Sequence, residues 1–300
     1  MNLPDFGNEI FYTTISSISN GSGNWISFII YVFMLFFERW IYFFQHRYTW
    51  NQKAAYLNFK SGIFKFFIEI AISGTFFIAA YIYIYENFRI FNISYLAWGW
   101  IFAILFYDLA FYINHRIAHR IGFFWSLHET HHSSQEMNLL VANRSSIFEG
   151  SGFVYPFGYF LAFLGVPPSM FLCIKFFANL WVTISHTRLI GNLGILEYIL
   201  VTPSNHRVHH GKDPIYLNKN FSNVFIIWDK LFGTYQAELQ EPTYGLTKNI
   251  ECDTIWQIHT SGIQYLFQKI KTANRLKDKF SYLINPPEWT HGCNHQYDNK

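Results

Sequence analysis

Three apolar runs, each about 20 residues long, interrupt an otherwise mixed chain: "WISFIIYVFMLFFERWIYFF" at 25–44, "FFIEIAISGTFFIAAYIYIY" at 66–85 and "YLAWGWIFAILFYDLAFYI" at 95–113. A helix needs about that length to cross the hydrocarbon core of a bilayer. A fourth run, 152–184, is longer and is broken by Pro167-Pro168. Proline stops helices, so this run predicts two helices meeting at a turn, as a re-entrant or full hairpin. The pattern predicts an all-α integral membrane protein, a single domain over 1–300. Four to five membrane helices form its stem, and a cytosolic helical cap carries the polar, histidine-bearing region at 101–235. A tail, 236–300, follows and is expected to be loosely ordered beyond about Leu283.

Composition supports a membrane stem joined to a substantial polar part. Half of the chain is hydrophobic (51%), 21% is aromatic and only 14% is charged, against roughly 25% charged in soluble domains. The mean hydropathy of +0.10 is too low for a bundle of spans alone. The net charge of +3 is weak and its basic residues are dispersed, so nucleic acid is not an expected partner. Cys173, Cys252 and Cys293 lie too far apart for a disulfide framework or a cysteine metal site. The first 23 residues contain acids but neither Lys nor Arg, so no secretory signal peptide is expected. Charge also orients the chain. Arg47, Lys53 and Lys60 lie between the first two runs, flanked by Arg39 and Lys65. The positive-inside rule puts that loop in the cytoplasm and the N-terminus outside.

This topology brings the histidines to the cytoplasmic side. "NHRIAHR" supplies His115 and His119, "HETHH" supplies His128, His131 and His132, and "NHRVHH" supplies His206, His209 and His210. Spacings of three and four place side chains on one helical face, so each cluster can aim two or three imidazoles at one spot. The third cluster has its own helix punctuation, with Thr202 as N-cap, Pro203 first in the helix and Gly211 as terminator. Eight imidazoles exceed the needs of one ion, which suggests two. Neutral imidazole suits Fe, Zn, Cu and Ni alike, so residue type does not choose the metal. His46, His259, His291 and His295 belong to no cluster.

The order HxxxH, HxxHH, HxxHH resembles the fatty acid hydroxylase and sterol desaturase superfamily of membrane enzymes. "LHETHHSSQEMN", "TPSNHRVHHG" and "KNFSNVFIIWDKLFGTY" extend the resemblance over about 101–235. "ISHTRLIGNLGILEYIL" and a later "YGL" are similar to the alkylglycerol monooxygenase branch and its bacterial relatives. The resemblance implies a histidine-ligated pair of iron ions that activates dioxygen; imidazole accepts zinc as well, so zinc is an expected replacement on isolation. It implies catalytic roles for the eight clustered histidines and adds His186, in "ISHTR", as a ninth ligand. It also implies a lipid substrate within the bilayer of a bacterial inner membrane or the endoplasmic reticulum. One position departs from the branch pattern. An acidic residue associated with tetrahydrobiopterin follows the second histidine of the first box in the branch, whereas here Arg120 stands there. Tetrahydrobiopterin is therefore a doubtful reductant. The sequence has no haem domain, flavin fingerprint or Fe–S cysteine cluster, so a separate electron donor is expected.

Carboxylates near such a site would offset its charge and orient the imidazoles. Asp108 lies two helical turns before His115 and shares a stripe with Tyr112, His115 and His119; Glu129 and Asp229 are further candidates. Glu69 follows Lys65 by four residues and reads as a helix-surface pair. A metal transporter or store is the non-catalytic alternative, but transporters place polar groups inside their spans. A carboxylate-bridged diiron protein would use Glu129–His132 and Glu288–His291, yet two further glutamates are missing. The sequence leaves ether lipid, acyl chain, sterol and carotenoid open as substrates, and hydroxylation open against desaturation.

Overall fold

A computed structural model describes residues 22–45, 51–69, 74–149, 157–248, 252 and 254–292. The N-terminal segment, His46, the start of the broken run, Cys293 and His295 lie outside the described residues. Eleven α-helices run along the described chain. These are α1 Ser22–Gln45, α2 Gln52–Ile68, α3 Gly74–Phe88, α4 Ala97–Arg120, α5 Gly122–His132, α6 Phe157–Leu164, α7 Pro168–Ser185, α8 Pro203–His210, α9 Ile227–Leu231, α10 Ile255–Thr272 and α11 Leu276–Ile284. Among the described residues there is no strand, only the isolated bridges Leu200–Phe225 and Gly211–Tyr244.

Three helices are long and apolar enough to cross a membrane, over Phe28–Gln45, Ala97–Arg120 and Pro168–Ser185. The apolar run at 66–85 is instead shared between α2 and α3, with residues 70–73 outside the described set. The third run continues as helix past residue 113 to Arg120. Its 24 residues extend about 36 Å, longer than the roughly 30 Å hydrocarbon core. His115 and His119 therefore ride on the end of a candidate span. The fourth run breaks where its prolines predict, with Pro167 as N-cap and Pro168 in the first turn of α7. Just before them Gly165 has φ +89° and lies against the Phe91 carbonyl, where a Cβ would sit 1.8 Å from the oxygen. Only glycine meets both demands.

The stem core joins α3, α4, α6 and α7 through Phe77, Tyr81, Ala103, Leu161, Met170 and Phe171. Tyr81 stacks on Phe171 at 4.5 Å and donates its hydroxyl to the Val166 carbonyl at 3.0 Å. On its outer face α1 exposes Phe33, Phe36, Phe37, Trp40, Phe43 and Phe44, a surface suited to acyl chains rather than water. Behind the polar region α10 lies tight against α5. A Cβ on Gly262 would stand 2.1 Å from the Ser126 carbonyl oxygen, so glycine permits this approach. Thr130 Oγ1 donates across the contact to the Ile258 carbonyl at 2.7 Å.

Candidate metal centre

Four elements deliver the histidines. The end of α4 carries His115 and His119, α5 carries His128, His131 and His132, His186 caps α7, and α8 carries His206, His209 and His210. Helix α8 is polar yet buried along its whole length. Its punctuation matches the sequence reading, since the Thr202 side chain accepts from Asn205 N and Pro203 opens the helix. Gly211 ends it with φ −69°, outside the left-handed region. Glycine is needed there because Tyr216 and Pro242 press against the position a Cβ would take.

The nine histidines fall into two groups. His115, His119, His128, His132 and His209 form one, and His131, His186, His206 and His210 the other; within each group the ligand nitrogens lie within 4.8 Å of one another. The HxxHH spacing explains the division. Residues i and i+4 nearly eclipse on a helix, while the intervening histidine is turned by about 100° from its neighbour. Thus His128 and His132 join the first group and His131 the second, and on α8 the allocation is reversed. The groups adjoin, with the rings of His132 and His210 stacked at 4.5 Å.

Backbone carbonyls fix the ring orientations. Nδ1 of His115 donates to Phe221 O at 2.7 Å, Nδ1 of His131 to Arg144 O at 3.1 Å, Nδ1 of His186 to Val182 O at 2.7 Å and Nδ1 of His209 to Lys219 O at 3.0 Å. His128 Nδ1 donates to the Glu149 carboxylate. Carbonyl oxygens only accept, so each Nδ1 held by one carries the proton of a neutral ring and Nε2 keeps a bare lone pair. Yet the Nε2 atoms of His115 and His128 lie 3.1 Å apart, and those of His131 and His186 lie 3.2 Å apart. Facing lone pairs repel unless a cation lies between them. Two nitrogens held at right angles, each about 2.1 Å from one ion, would lie about 3.0 Å apart. His131 and His186, both held by carbonyls, form such a pair, and in each group the ligand nitrogens converge within 4.8 Å, so the donor set fits one metal ion per group. The Nε2 atoms of His119 and His209 are also buried without a partner among the described residues.

Electrostatics agree. Burial, reinforced by neighbouring imidazoles, holds His131, His132, His206 and His210 well below the ordinary histidine pKa and pushes His209 down to about 3. Burial pushes His186 down to about 4. These rings stay neutral at pH 7, the form that binds metal. Phe221 packs against His115, His119 and His209, and Trp125 lies over His132; both exclude water.

The three acids singled out in the sequence lie beside the site, and none is hydrogen-bonded to an imidazole among the described residues. Asp108 accepts from Val224 N at 2.8 Å, Phe225 N at 2.9 Å and Trp228 Nε1 at 3.0 Å. Asp229 accepts from Phe221 N at 2.7 Å, Ser222 N at 2.9 Å and Thr234 Oγ1 at 2.7 Å. Both therefore grip the 221–225 backbone, whose Phe221 carbonyl holds His115. Glu129 turns the other way, against Gly262 of α10, and burial pushes its carboxyl up to about 7. Lys65 and Glu69 pair at 3.5 Å, as their spacing predicts.

Glu149 and Arg144 escaped the sequence reading. Glu149 lies 17 residues beyond His132, and no periodicity ties it to the box. Arg144 places its carbonyl on His131 while its guanidinium ties down the end of α5, bonding Thr130 O at 3.2 Å and Ser133 Oγ at 2.8 Å. Arg144 lies well beyond the last turn of α5, so it gave no helix-end signal either.

Residues 100–234 match the family model described as fatty acid hydroxylase. An alkylglycerol monooxygenase of Danio rerio is 39% identical over 219 residues, 72% of this chain and 48% of that protein. The Homo sapiens alkylglycerol monooxygenase is 38% identical over 218 residues, with the same coverage of 72% and 48%. An ornithine lipid hydroxylase, OlsE, of Rhizobium tropici is 28% identical over 141 residues, 47% of this chain and 42% of its own length. The chain spans about half the length of the alkylglycerol monooxygenases it matches. No solved structure matches.

Proposed function

We infer, from the premise that residues 100–234 belong to the fatty acid hydroxylase family, that this chain is a membrane-bound oxygenase acting on a lipid C–H bond. It would use dioxygen and electrons from a separate donor. Insertion of oxygen is preferred to desaturation, because relatives named monooxygenases reach 41% identity and one named a sterol desaturase 23%. The observation that carries the reading is the convergence of nine histidine nitrogens into two adjoining groups, with Nε2 atoms facing one another at 3.1 and 3.2 Å.

His115, His119, His128, His132 and His209 would hold one iron, and His131, His186, His206 and His210 the other. Zinc is an acceptable replacement on isolation. When bound, two irons supply the redox chemistry that activates dioxygen toward an unactivated C–H bond. The chain's own residues supply the setting. The Phe221, Lys219, Arg144 and Val182 carbonyls aim the rings. Asp108 and Asp229 steady the loop that carries the first of these carbonyls, and Glu149 adds one negative charge at His128. Phe221 and Trp125 keep water away. We further propose a single domain with four to five membrane helices and a cytosolic cap containing the site. Comparison of lipid extracts from cells with and without the gene, together with metal analysis of the purified chain, tests the reading. The expected result is an oxygen-dependent loss of one lipid class and gain of its oxidised product. Identical lipid profiles under air would contradict it.

A further inference from the structure

The chain segments on either side of α8 come together outside it. Leu200 and Phe225 form an antiparallel bridge. Val201 N donates to Val224 O at 2.8 Å, and Ile226 N to Ile199 O at 3.1 Å. Beside this seam lie the 3-10 helix Gly194–Tyr198 and α9. Their outer side is apolar. Ile195 is 76% exposed, Leu231 69% and Tyr198 65%, and Leu196, Ile199 and Phe232 are exposed with them. The acids in these segments turn inward. Glu197 is buried and accepts from Leu193 N at 2.8 Å and from the Thr202 hydroxyl, and Asp229 is buried on the 221–222 backbone. Lys230 is therefore the one exposed charge across 193–199 and 227–232. It joins the two segments, donating from Nζ to the Tyr198 carbonyl at 2.9 Å and lying over the Tyr198 and Tyr235 rings at 4.5 and 5.0 Å. A contiguous exposed apolar patch marks an interaction surface.

Two anchors set the height of this patch. Asp108, inside the candidate span Ala97–Arg120, holds Val224 N, Phe225 N and Trp228 Nε1. Trp181, inside the candidate span Pro168–Ser185, donates from Nε1 to Val201 O at 2.8 Å. Asp108 comes about 10 Å before His115 along α4, and Trp181 about 7 Å before His186 along α7. The seam is thus fastened to both spans on the bilayer side of the ligands. Tyr198, Trp228 and Tyr235 around Lys230 have the composition of a membrane interface, where aromatic rings lie at headgroup level and lysine reaches out to water. Leu239 is the contrast. It is as exposed, at 72%, but shares its surface with Arg188, Glu238, Gln240 and Glu241, which suits water.

We propose that the patch formed by Gly194–Tyr198 and α9 lies in the headgroup–acyl boundary of the bilayer that the spans cross, with phospholipid as its occupant, and anchors the polar region as an interfacial element does. The 221–225 backbone, whose Phe221 carbonyl holds His115, is then clamped between the membrane surface and the metal centre. The proposal rests on the membrane reading of α1, α4 and α7 and is independent of the oxygenase reading.

The test uses the full chain in phosphatidylcholine nanodiscs with separate carbene sources: a phosphatidylcholine with a diazirine near the glycerol end of one acyl chain, one with it near the methyl end, and a water-soluble diazirine. Labelled peptides are mapped by mass spectrometry, and metal per chain is measured on the same sample. The shallow lipid probe is expected to label 193–199 and 227–232, the deep probe the outer face of α1 around Phe37, and the water-soluble probe the peptide carrying Leu239. Ile195→Asp combined with Leu231→Asp alters only exposed positions. It should cut shallow labelling of the patch at least about tenfold, the factor carried by one apolar side chain withdrawn from an apolar setting, with metal per chain unchanged. Labelling of the wild-type patch by the water-soluble probe alone, or by the deep probe, would overturn the proposal. So would protection from all the probes, since a second copy of the chain would then cover the patch, and so would equal shallow labelling of variant and wild type. An α1 that the deep probe does not reach would sink the membrane reading as well, whereas a labelled α1 beside an unlabelled patch would sink this proposal alone.

Discussion

Helices α1 and α8 treat their side chains in opposite ways. The outer face of α1 leaves Phe33, Phe36, Trp40 and Phe43 exposed, while α8 buries Asn205, His206, Arg207, His209 and His210. The first would be costly in water, and the second would be costly anywhere if its polar groups were unpaired. Each is explained by its surroundings: acyl chains for α1, and for α8 a set of partners that satisfies every strong polar group. Arg207 forms a fork with Glu238 at 2.7 and 2.6 Å and donates to the Ile190 carbonyl at 2.7 Å. Asn205 donates to Leu200 O at 3.1 Å. What is left over on α8 is imidazole nitrogen. A buried polar helix is stable only when its groups are satisfied, so the residual nitrogens mark where a metal would be held.

The comparison can be broken in graded steps. The largest effect is expected from removing a ligand. His128→Ala, His131→Ala or His209→Ala should each bring lipid turnover to background, with metal per chain lowered in the same preparation. Full metal and full turnover in any of them would remove that histidine from the centre. Next comes Glu149→Gln, which keeps the shape beside His128 and deletes the charge. Losing such a partner typically costs about 10–100-fold in metal affinity or activity, so a metal titration should weaken by that factor with melting temperature little changed. Asp108→Asn should act differently, because Asp108 accepts only from N–H groups. An amide NH₂ turned toward them leaves buried donors unpaired, at about 1–3 kcal/mol each. Thermal stability is therefore expected to fall along with metal content, and a variant as stable as wild type would contradict this account of Asp108. The smallest effect at the site is expected from His259→Ala. His259 links α10 to the loop after α5 through Ser145 O at 3.1 Å and to Ser61 of α2 at 3.3 Å. That variant should melt earlier but keep its metal and its turnover per folded chain; loss of metal would extend the centre to α10.

The histidine boxes were legible because their information is local. Spacings of three and four within windows of five residues fix a face and a fan of rings whatever the rest of the chain does. The third box could even be assigned its helix ends, since Thr202, Pro203 and Gly211 act on the backbone beside them. The outer partners were less legible in proportion to their distance along the chain. Asp108 and Asp229 could be singled out as acids near the site, but not their grip on the 221–225 backbone, because a side chain's choice between imidazole and peptide N–H depends on a fold contact more than a hundred residues away for Asp108. Glu149 gave no signal at all. The helix boundaries follow the same rule. Pro167-Pro168 announced the break before α7, whereas the end of α2 at Ile68 and the start of α3 at Gly74 both fall inside a run long enough to be read as one span. The extension of α4 to Arg120 was hidden because "NHRIAHR" looks like the end of a span when hydropathy alone is followed.

Metal stoichiometry tests the central claim most directly. The chain, purified without chelator after expression with added iron, should contain about two metal ions, mostly iron, by elemental analysis against quantitative amino-acid analysis. His131→Ala and His209→Ala, which remove one ligand from different groups, should each retain more than half of one equivalent. A wild-type value of one ion or none, with the protein folded and monodisperse, would contradict the assignment of the two histidine groups to two ions.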